Sequence, residues 1–511
     1  MTDDLSQPLD LVLRRRAAYM TLAEVLSGDL LIQAMWMIEE RDQSADRLTF
    51  LGFVGVTAEI FGVDNHNVSI LYIKLNKNLN LLHDDLPPDP LPEMLKFRGI
   101  IQADAQLNAN ISPSDTESAL IIDETSPSIY RDDGIFGKVE EDLTLATLYQ
   151  IGQALASEAR EYKCDTVIMA RDGRNSSIGL GQSLAEGILS TGTKVIDLGA
   201  APISVLYFVT HHFEGKTGVM VSGGHHPRQY NGLTMVVGGE ILAGEKIQQL
   251  KQRIHNEDFI VGQGGSLEKT SRFVEEYVGM VAEYIQLNKP MKIVLDSGNG
   301  IAGTLAKEVM QEIGCEVIEL HENVDESYPN HPPDPGKVEN LKDLISAVRQ
   351  HQAEVGFAFD NEGASLALVD SQGKIISPNQ QLMLLAKAIL TVKPNSQIIL
   401  DVQCTNQLTE LITQHGGTAI MCEAGSASMR TKLNTTGAKL AGDMKGHFLF
   451  NDRWYGFSDA LYAASRMLEI LSSESRSSSE IFMELSESAN TAKVGTELNE
   501  SSTGGRSLGL P

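Results

Sequence analysis

The chain has 511 residues, of which 42% are hydrophobic, and this is enough for three or four domains with buried cores. Its net charge of −27 excludes nucleic-acid binding through the bulk surface, because phosphate binding needs clustered Lys and Arg. Four separated cysteines without a CxxC pair argue against a zinc or disulfide framework, and the acidic start argues against a signal peptide. No early apolar stretch is long enough to span a membrane. We therefore expect a soluble cytoplasmic protein with reduced thiols.

The first part of the chain, residues 1–105, is predicted to be an N-terminal α+β accessory region. Apolar residues at helical spacing predict a helix over Leu9–Arg41, and the runs Phe50–Val56 and Val68–Leu75 are typical of strands. A polar linker is predicted over 106–127. This region shows no nucleotide or metal motif, so we interpret it as an interaction region whose partner the sequence does not identify.

From residue 128 onward, buried strands alternate with helices of about a dozen residues, which predicts mixed sheets covered by helices. The pattern divides into three consecutive α/β domains, predicted at 128–272, 273–375 and 376–471. The predicted elements are the helices Leu143–Glu161, Gly181–Ser190, Val205–Phe213 and Ala302–Ile313, and the strands Thr166–Ala170, Lys194–Leu198, Gly218–Val221, Met291–Asp296, Glu316–Leu320 and Gln397–Val402. The Ser-rich segment 472–511 is predicted to be a disordered tail.

Three Gly-rich loops follow strands, where open α/β sheets bind their ligands. In the first, small residues and the His225-His226 pair suit close approach to an anion. In the second, Asp360 and Glu362 could hold Mg²⁺ through oxygen. The third places Asp, Lys and His within Gly442–His447, a set suited to hydroxyl and phosphate contacts. For each loop taken alone, a solvated turn without a bound ligand is the alternative interpretation.

Five segments together carry a resemblance to a known family. They are Arg171–Arg174 (RDGR), Tyr230–Gly232 (YNG), Tyr328–Lys337 (YPNHPPDPGK), Ala441–His447 (AGDMKGH) and Arg453–Phe457 (RWYGF). Through them the chain resembles the α-D-phosphohexomutase family, including bacterial phosphomannomutase/phosphoglucomutase, over about two-thirds of its length. The resemblance implies three consecutive phosphohexomutase-type domains and reversible phosphoryl transfer between the 1- and 6-positions of mannose or glucose phosphates. It also implies a phosphoserine in domain 1, Mg²⁺ in domain 2 and hexose 1,6-bisphosphate as activator.

Several residues depart from the pattern of the family. The phosphoserine position is Gly224, which has no oxygen, and Ser222 lies two residues earlier as the nearest displaced nucleophile. The metal loop keeps Asp360, replaces a second Asp by Glu362 and a third by Ala364, so weak or absent Mg²⁺ binding is expected. The fourth domain of the family is not recognisable, and the residues after 485 are too few to supply it.

The resemblance also implies a set of residues that would meet a sugar phosphate. His225 is the further candidate in the catalytic loop. The candidates for substrate binding are Arg171, Arg174, Arg228, Asp443, Lys445 and His447.

Three functions follow as hypotheses. The first is a family member that has lost most or all catalysis and keeps hexose-phosphate binding or a regulatory role, for example beside an active homologue. The losses would then reflect either a retained pseudoenzyme or a decaying gene product whose tail is an altered reading frame. The second is an active phosphomannomutase/phosphoglucomutase using Ser222. The third is an interaction protein working through residues 1–105.

Overall fold

The structure, a computed structural model, describes residues 129–132, 134–213 and 216–485. The predicted accessory region, the linker and residues 486–511 lie outside this described part. Among the helices of the described residues, none is both long and apolar enough to cross a membrane.

The first domain is built on an eight-stranded mixed sheet. Its strands are, in chain order, β1 (Tyr130–Arg131), β2 (Gly134–Lys138), β3 (Thr166–Arg171), β4 (Lys194–Ala200), β5 (Gly218–Val221), β6 (Tyr230–Val237), β7 (Glu240–Ile241) and β8 (Leu267–Lys269). The order is β1-β2-β6-β5-β3-β4-β8, with β7 paired to β6. Strand β3 is parallel to both β4 and β5, and Arg171 is in register with Val221. The loops that follow β3 and β5 therefore leave the sheet side by side.

The helices of this domain are α1 (Leu145–Glu161), α2 (Asn175–Ser190), α3 (Ile203–His212) and α4 (Glu245–His255). Helix α1 begins after Thr144, whose side chain accepts a hydrogen bond from the Thr147 amide at 3.1 Å. Helices α1 and α2 pack closely because a glycine of each faces the backbone of the other. A Cβ at Gly187 would lie 2.0 Å from the Tyr149 carbonyl oxygen.

The second domain contains a five-stranded mixed sheet. Its elements are α5 (Arg272–Tyr284), β9 (Met291–Asp296), α6 (Ala306–Glu312), β10 (Cys315–Leu320), α7 (Lys342–His351), β11 (Val355–Phe359), β12 (Leu366–Asp370) and β13 (Ile375–Ile376). The strand order is β10-β9-β11-β12-β13, with β10 and β11 parallel to β9 and β12 antiparallel to β11. Residues 360–365 therefore form the turn of the β11-β12 hairpin.

The third domain has a four-stranded sheet of order β15-β14-β16-β17. Its elements are α8 (Pro378–Val392), β14 (Gln397–Asp401), α9 (Asn406–Gln414), β15 (Thr418–Cys422), α10 (Ser426–Thr436), β16 (Leu440–Gly442), β17 (Phe448–Phe450) and α11 (Ala460–Ser472). Strands β15 and β16 are parallel to β14, and β17 is antiparallel to β16. Residues 443–447 form the turn of this last hairpin.

The predicted fold class, three consecutive α/β domains with mixed sheets, is confirmed. One predicted helix, Ala302–Ile313, is interrupted: a 3₁₀ turn over Ile301–Thr304 precedes α6. The ordered chain also extends further than predicted. Residues 478–485 are helical, and Ile481, Phe482 and Leu485 are buried, so the tail does not begin at residue 472.

The second and third domains are joined by a buried polar contact at the start of α11. The Asp459 carboxylate caps this helix by accepting from the Tyr462 amide at 2.9 Å. It also accepts from the Tyr277 hydroxyl of α5 and from Trp454 Nε1, both at 2.9 Å. Burial raises the pKa of Asp459 to about 6. The two domains thus share one carboxylate that is hydrogen-bonded on both of its oxygens.

The last described helix offers a test of the packing. Phe482→Ala should lower the free energy of unfolding by about 3–5 kcal/mol, because it removes a fully buried aromatic side chain. Met483→Ala, on the neighbouring residue whose side chain is 53% exposed, is the matched control and should cost far less. Urea unfolding measures both. Equal losses in the two variants would contradict the packing of residues 478–485 against the core.

Candidate functional site

The loop after β5 is fixed by hydrogen bonds from Arg174, a buried residue whose side chain is 1% exposed. Its Nη1 donates to the carbonyl oxygens of Pro227, at 3.2 Å, and Tyr230. Its Nη2 donates to those of Gly224, at 3.0 Å, and His226, at 2.8 Å. One planar guanidinium therefore fixes four backbone carbonyls of the loop, which a compact ammonium group cannot do.

The fully buried carboxylate of Asp172 accepts hydrogen bonds from the same loop. Its Oδ2 lies 3.2 Å from Arg174 Nε and accepts from the Ser222 hydroxyl at 3.0 Å and the Gly223 amide at 3.2 Å. The same oxygen accepts from Asn361 Nδ2, at 3.1 Å, which belongs to the second domain. This carboxylate therefore links the first loop to the loop that carries Asp360 and Glu362.

Gly224 lies at the top of the first loop, with φ of +52°. A Cβ placed there would lie 3.4 Å from Glu362 Oε1, so the position faces the loop of the second domain as the resemblance implies. The Ser222 hydroxyl lies deeper: its residue is 3% exposed, and its Oγ accepts from the Gly224 amide at 3.1 Å. Ser222 is thus directly beneath the position that lacks a hydroxyl.

Acidic side chains of the second domain face this loop. Asp360 Oδ1 accepts from the Ala364 amide at 2.7 Å, and Asp360 Oδ2 lies 3.6 Å from Nε2 of the half-exposed His225. Burial, together with the charges of Asp360 and Asp172, raises the pKa of Glu362 to about 7. The oxygens of Asp360 and Glu362 fit a hard cation such as Mg²⁺, but with two carboxylates because Ala364 supplies none.

The third loop meets the second through an isolated antiparallel bridge between Ser365 and His447. His447 Nδ1 lies 2.8 Å from Asp443 Oδ2, and Asp443 Oδ1 accepts from the amides of Lys445 and His447. Burial lowers the pKa of His447, but the hydrogen bond and charge of Asp443 outweigh it, so that the pKa is raised. Asp443 therefore orients His447 within the loop, and the Lys445 side chain is left exposed.

The structure brings together the loop residues Ser222, Gly224, His225, Asp360 and Glu362. Two of the predicted substrate-binding residues, Arg174 and Asp443, are each only 1% exposed, and their side chains make hydrogen bonds to backbone groups of the first and third loops.

Among the other cationic candidates, Arg228 is exposed and Arg171 is partly exposed, with its Nη1 donating to the Asp172 carbonyl oxygen at 3.1 Å. Sequence reasoning missed Asp172 and Asn361 as site residues. The available signal was their position: Asp172 lies inside the RDGR segment at the end of β3, and Asn361 lies between the two acidic residues of the second loop.

Three family profiles match consecutive parts of the chain. They are the phosphoglucomutase/phosphomannomutase alpha/beta/alpha domain I over residues 128–261, domain II over 274–373 and domain III over 377–488. The chain is 42% identical over 375 residues to the phosphomannomutase/phosphoglucomutase of Pseudomonas aeruginosa, covering 73% of this chain and 81% of that protein. It is 40% identical over 378 residues to the phosphoglucomutase of Neisseria meningitidis serogroup A, covering 74% and 82%.

Two solved structures are also similar to this chain. A phosphoglucomutase/phosphomannomutase family protein from Burkholderia thailandensis superposes with a TM-score of 0.67 at 40% identity, covering 69% of this chain and 79% of that one. A structure from Thermus thermophilus, described as a putative phosphomannomutase, gives a TM-score of 0.64 at 18% identity, covering 70% and 83%, and supports the fold alone.

Arg174→Lys tests the support of the first loop. The lysine cannot reach four carbonyls, and each buried carbonyl left unpaired costs about 1–3 kcal/mol, so we expect a loss of at least about 3 kcal/mol in unfolding free energy. Arg228→Lys, on the exposed arginine of the same loop, is the control and should be within about 0.5 kcal/mol of the parent. Urea denaturation measures both. A parent-like Arg174→Lys would show that the carbonyl contacts do not hold the loop.

Glu362→Gln tests whether the ionised side chain of Glu362 destabilises the folded protein. The unfolded side chain ionises near pH 4.5 and the folded one near 7, so between these values the folded state binds more protons and the parent loses stability as pH rises. Unfolding free energies measured from pH 4.5 to 8 in chelator should therefore shift in favour of the variant, by about 1.4 kcal/mol for each unit of pKa shift. The exposed Glu308→Gln is the control. A difference that does not vary with pH would refute the raised pKa.

Proposed function

We propose, because this chain belongs to the phosphoglucomutase/phosphomannomutase family, that it acts as a hexose-phosphate mutase on glucose or mannose 1- and 6-phosphates. The observation that carries the proposal is the convergence of the first two loops on one buried carboxylate, Asp172, with the third loop bridged to the second. The names of the relatives, which match over more than four-fifths of their length, support the same substrates.

The phosphoryl carrier in this proposal is Ser222, which holds the one side-chain hydroxyl in the segment 222–228. Its hydroxyl donates to Asp172 at 3.0 Å, and this contact orients the oxygen lone pairs. Hexose 1,6-bisphosphate would load Ser222 with a phosphoryl group. The carrier then gives this group to the free hydroxyl of the hexose monophosphate and regains one from the other end of the sugar, so that the phosphoprotein is regenerated.

Charge and positioning supply most of the catalysis in such a reaction. The exposed Arg228 and Lys445 offer positive charge to substrate phosphates, and the half-exposed His225 offers a ring nitrogen as a hydrogen-bonding group. Asp360 and Glu362 would hold Mg²⁺, which when bound neutralises charge on the transferred phosphoryl group.

A second candidate function is hexose-phosphate binding without turnover, in a regulatory role. Gly224 favours it, because the position facing Glu362 lacks a hydroxyl. The low exposure of Ser222 favours it as well, since a phosphorus atom needs an open approach to the attacking oxygen. The two candidates share their ligands and differ in whether Ser222 carries a phosphoryl group.

The proposal includes a cytoplasmic location. The four cysteines, Cys164, Cys315, Cys404 and Cys422, are all buried, as is usual for reduced thiols in a reducing compartment. A partner for residues 1–105, such as an active homologue, stays a prediction from the sequence.

A coupled assay tests turnover. The purified full chain is mixed with glucose 1-phosphate, Mg²⁺ and a trace of glucose 1,6-bisphosphate, and glucose 6-phosphate is followed. We expect a rate that Ser222→Ala reduces by at least about 100-fold, because displacement or loss of the reacting atom has effects of that size. Ser327→Ala, on an exposed serine, is the control and should keep the parent rate.

The other outcomes separate the two candidates. No rate in the parent, together with a rate in Gly224→Ser plus Ala364→Asp, would support the second candidate. The cleft, which is our name for the site formed by the three loops 222–228, 360–365 and 443–447, would then be intact, with only its reacting groups missing. Phosphate found at Ser222 by mass spectrometry would support the first. If neither protein turns over and mannose 6-phosphate at millimolar concentration does not raise the melting temperature, both candidates are wrong.

A further inference from the structure

A second group of metal-ligating side chains lies in the second domain, among residues that the proposed mutase function does not use. Asp296 ends β9 and His321 follows β10, and because these strands are parallel with Leu320 in register with Asp296, both side chains come out at the same sheet edge. His331 joins them from the Pro-rich segment. One ring nitrogen of each histidine and a carboxylate oxygen of Asp296 all lie within 4.8 Å of one another.

The orientation of His331 is fixed by its own backbone. Its Nδ1 lies 2.9 Å from the Pro332 carbonyl oxygen, and since a carbonyl only accepts, Nδ1 carries the hydrogen. Nε2 is thereby directed at Asp296, 3.2 Å from Oδ1 and 3.1 Å from Oδ2. Two ligands about 2.0–2.1 Å from a tetrahedral Zn²⁺ ion are separated by about 3.3 Å, so the His331–Asp296 spacing fits two metal ligands as well as a hydrogen bond.

Neighbouring residues also hold Asp296, His321 and His331 in place. Asp296 is fully buried, and its Oδ1 also accepts from the Gly298 amide at 3.0 Å. Gly298 has φ of +51°, and a Cβ there would lie 3.3 Å from His331 Cε1. Glycine at this position therefore leaves room for the His331 ring beside Asp296. His321 lies against the His331 ring, with centroids 5.1 Å apart, and its Nε2 is 3.2 Å from Asp343 Oδ2. A carboxylate beyond a ligating histidine is the usual outer partner at metal sites.

We propose that Asp296, His321 and His331 bind a divalent transition-metal ion of the Zn²⁺ class. Imidazole ligands favour such ions over Mg²⁺, whereas Asp360 and Glu362 offer only oxygen. A water molecule would complete four-fold coordination, with Asp343 as the outer partner of His321.

The ion would fasten the segment Tyr328–Lys337 to the ends of β9 and β10. This segment supports the cleft, because the Tyr328 hydroxyl donates to Asn361 Oδ1 at 3.0 Å, and Asn361 in turn contacts Asp172. The ion's role is therefore to position a segment outside the reacting centre.

Titration of the chelator-stripped full chain with Co²⁺ tests the site. We expect one equivalent per chain, the intense visible absorption of a tetrahedral ion, displacement by Zn²⁺ and no competition from excess Mg²⁺. His321→Gln should weaken binding at least about 10-fold while leaving the His331–Asp296 contact in place. His351→Gln, on an exposed histidine of the same domain, should bind like the parent.

His331→Gln is the second variant, and near-UV circular dichroism checks that each metal-free variant is folded. Equal Co²⁺ affinity in the parent and a folded His321→Gln would overturn the proposal. So would full competition by Mg²⁺, or the absence of a tetrahedral spectrum in the parent, which would mean that the His331–Asp296 pair holds a proton. None of these readouts depends on mutase activity.

Discussion

The cleft depends on one buried ion pair, Arg174 with Asp172. The guanidinium fixes four carbonyls of the first loop, and the carboxylate fixes Ser222 and, across the domain boundary, Asn361. Taking both charges out of water is costly, and removing either partner would leave the other buried and unpaired. The position of every reacting group in the first loop relative to the second therefore follows from this pair, although neither of its members is open to a substrate.

The bounds of secondary structure are best predicted from the sequence where consecutive residues are all buried. The strands Gly218–Val221 and Met291–Asp296 have the predicted bounds, because central strands that are covered on both faces are apolar throughout and end at polar loops. Where tertiary contacts decide, prediction was weaker. The sequence 302–313 has helical spacing throughout, yet Gly303 lies in a 3₁₀ turn. The Ser-rich composition after residue 472 concealed Ile481 and Phe482, which lie in a helix too short to show a periodic pattern but are buried against the core.

In the candidate site, too, some features could be predicted from the sequence and others could not. The loops were predictable because Gly-rich turns after parallel strands are where α/β sheets bind ligands. The roles of charged residues in them were not, since a sequence does not distinguish a charge that faces substrate from one that is buried under a loop. The sequence therefore predicts Arg174 and Asp443 as substrate-binding residues although both are almost fully buried, and it does not single out the buried Asp172. His321 and His331 lie ten residues apart. The parallel register of β9 and β10 places His321 beside Asp296, whereas the Pro-rich segment brings His331 to the same carboxylate.

The two glycines of the first loop show how chemistry can change while this framework stays. A Cβ at Gly223 would lie 1.7 Å from Arg174 Nη1, so no side chain fits there unless the guanidinium moves and the loop is released. At Gly224 the nearest atom to a Cβ is Glu362 Oε1 at 3.4 Å, and the cost of a side chain is the positive φ, about 1–2 kcal/mol. A hydroxyl can therefore be lost or regained at Gly224 without disturbing the ion pair beneath it. The framework therefore constrains residue 223, whereas residue 224 can change without moving Arg174 or Asp172.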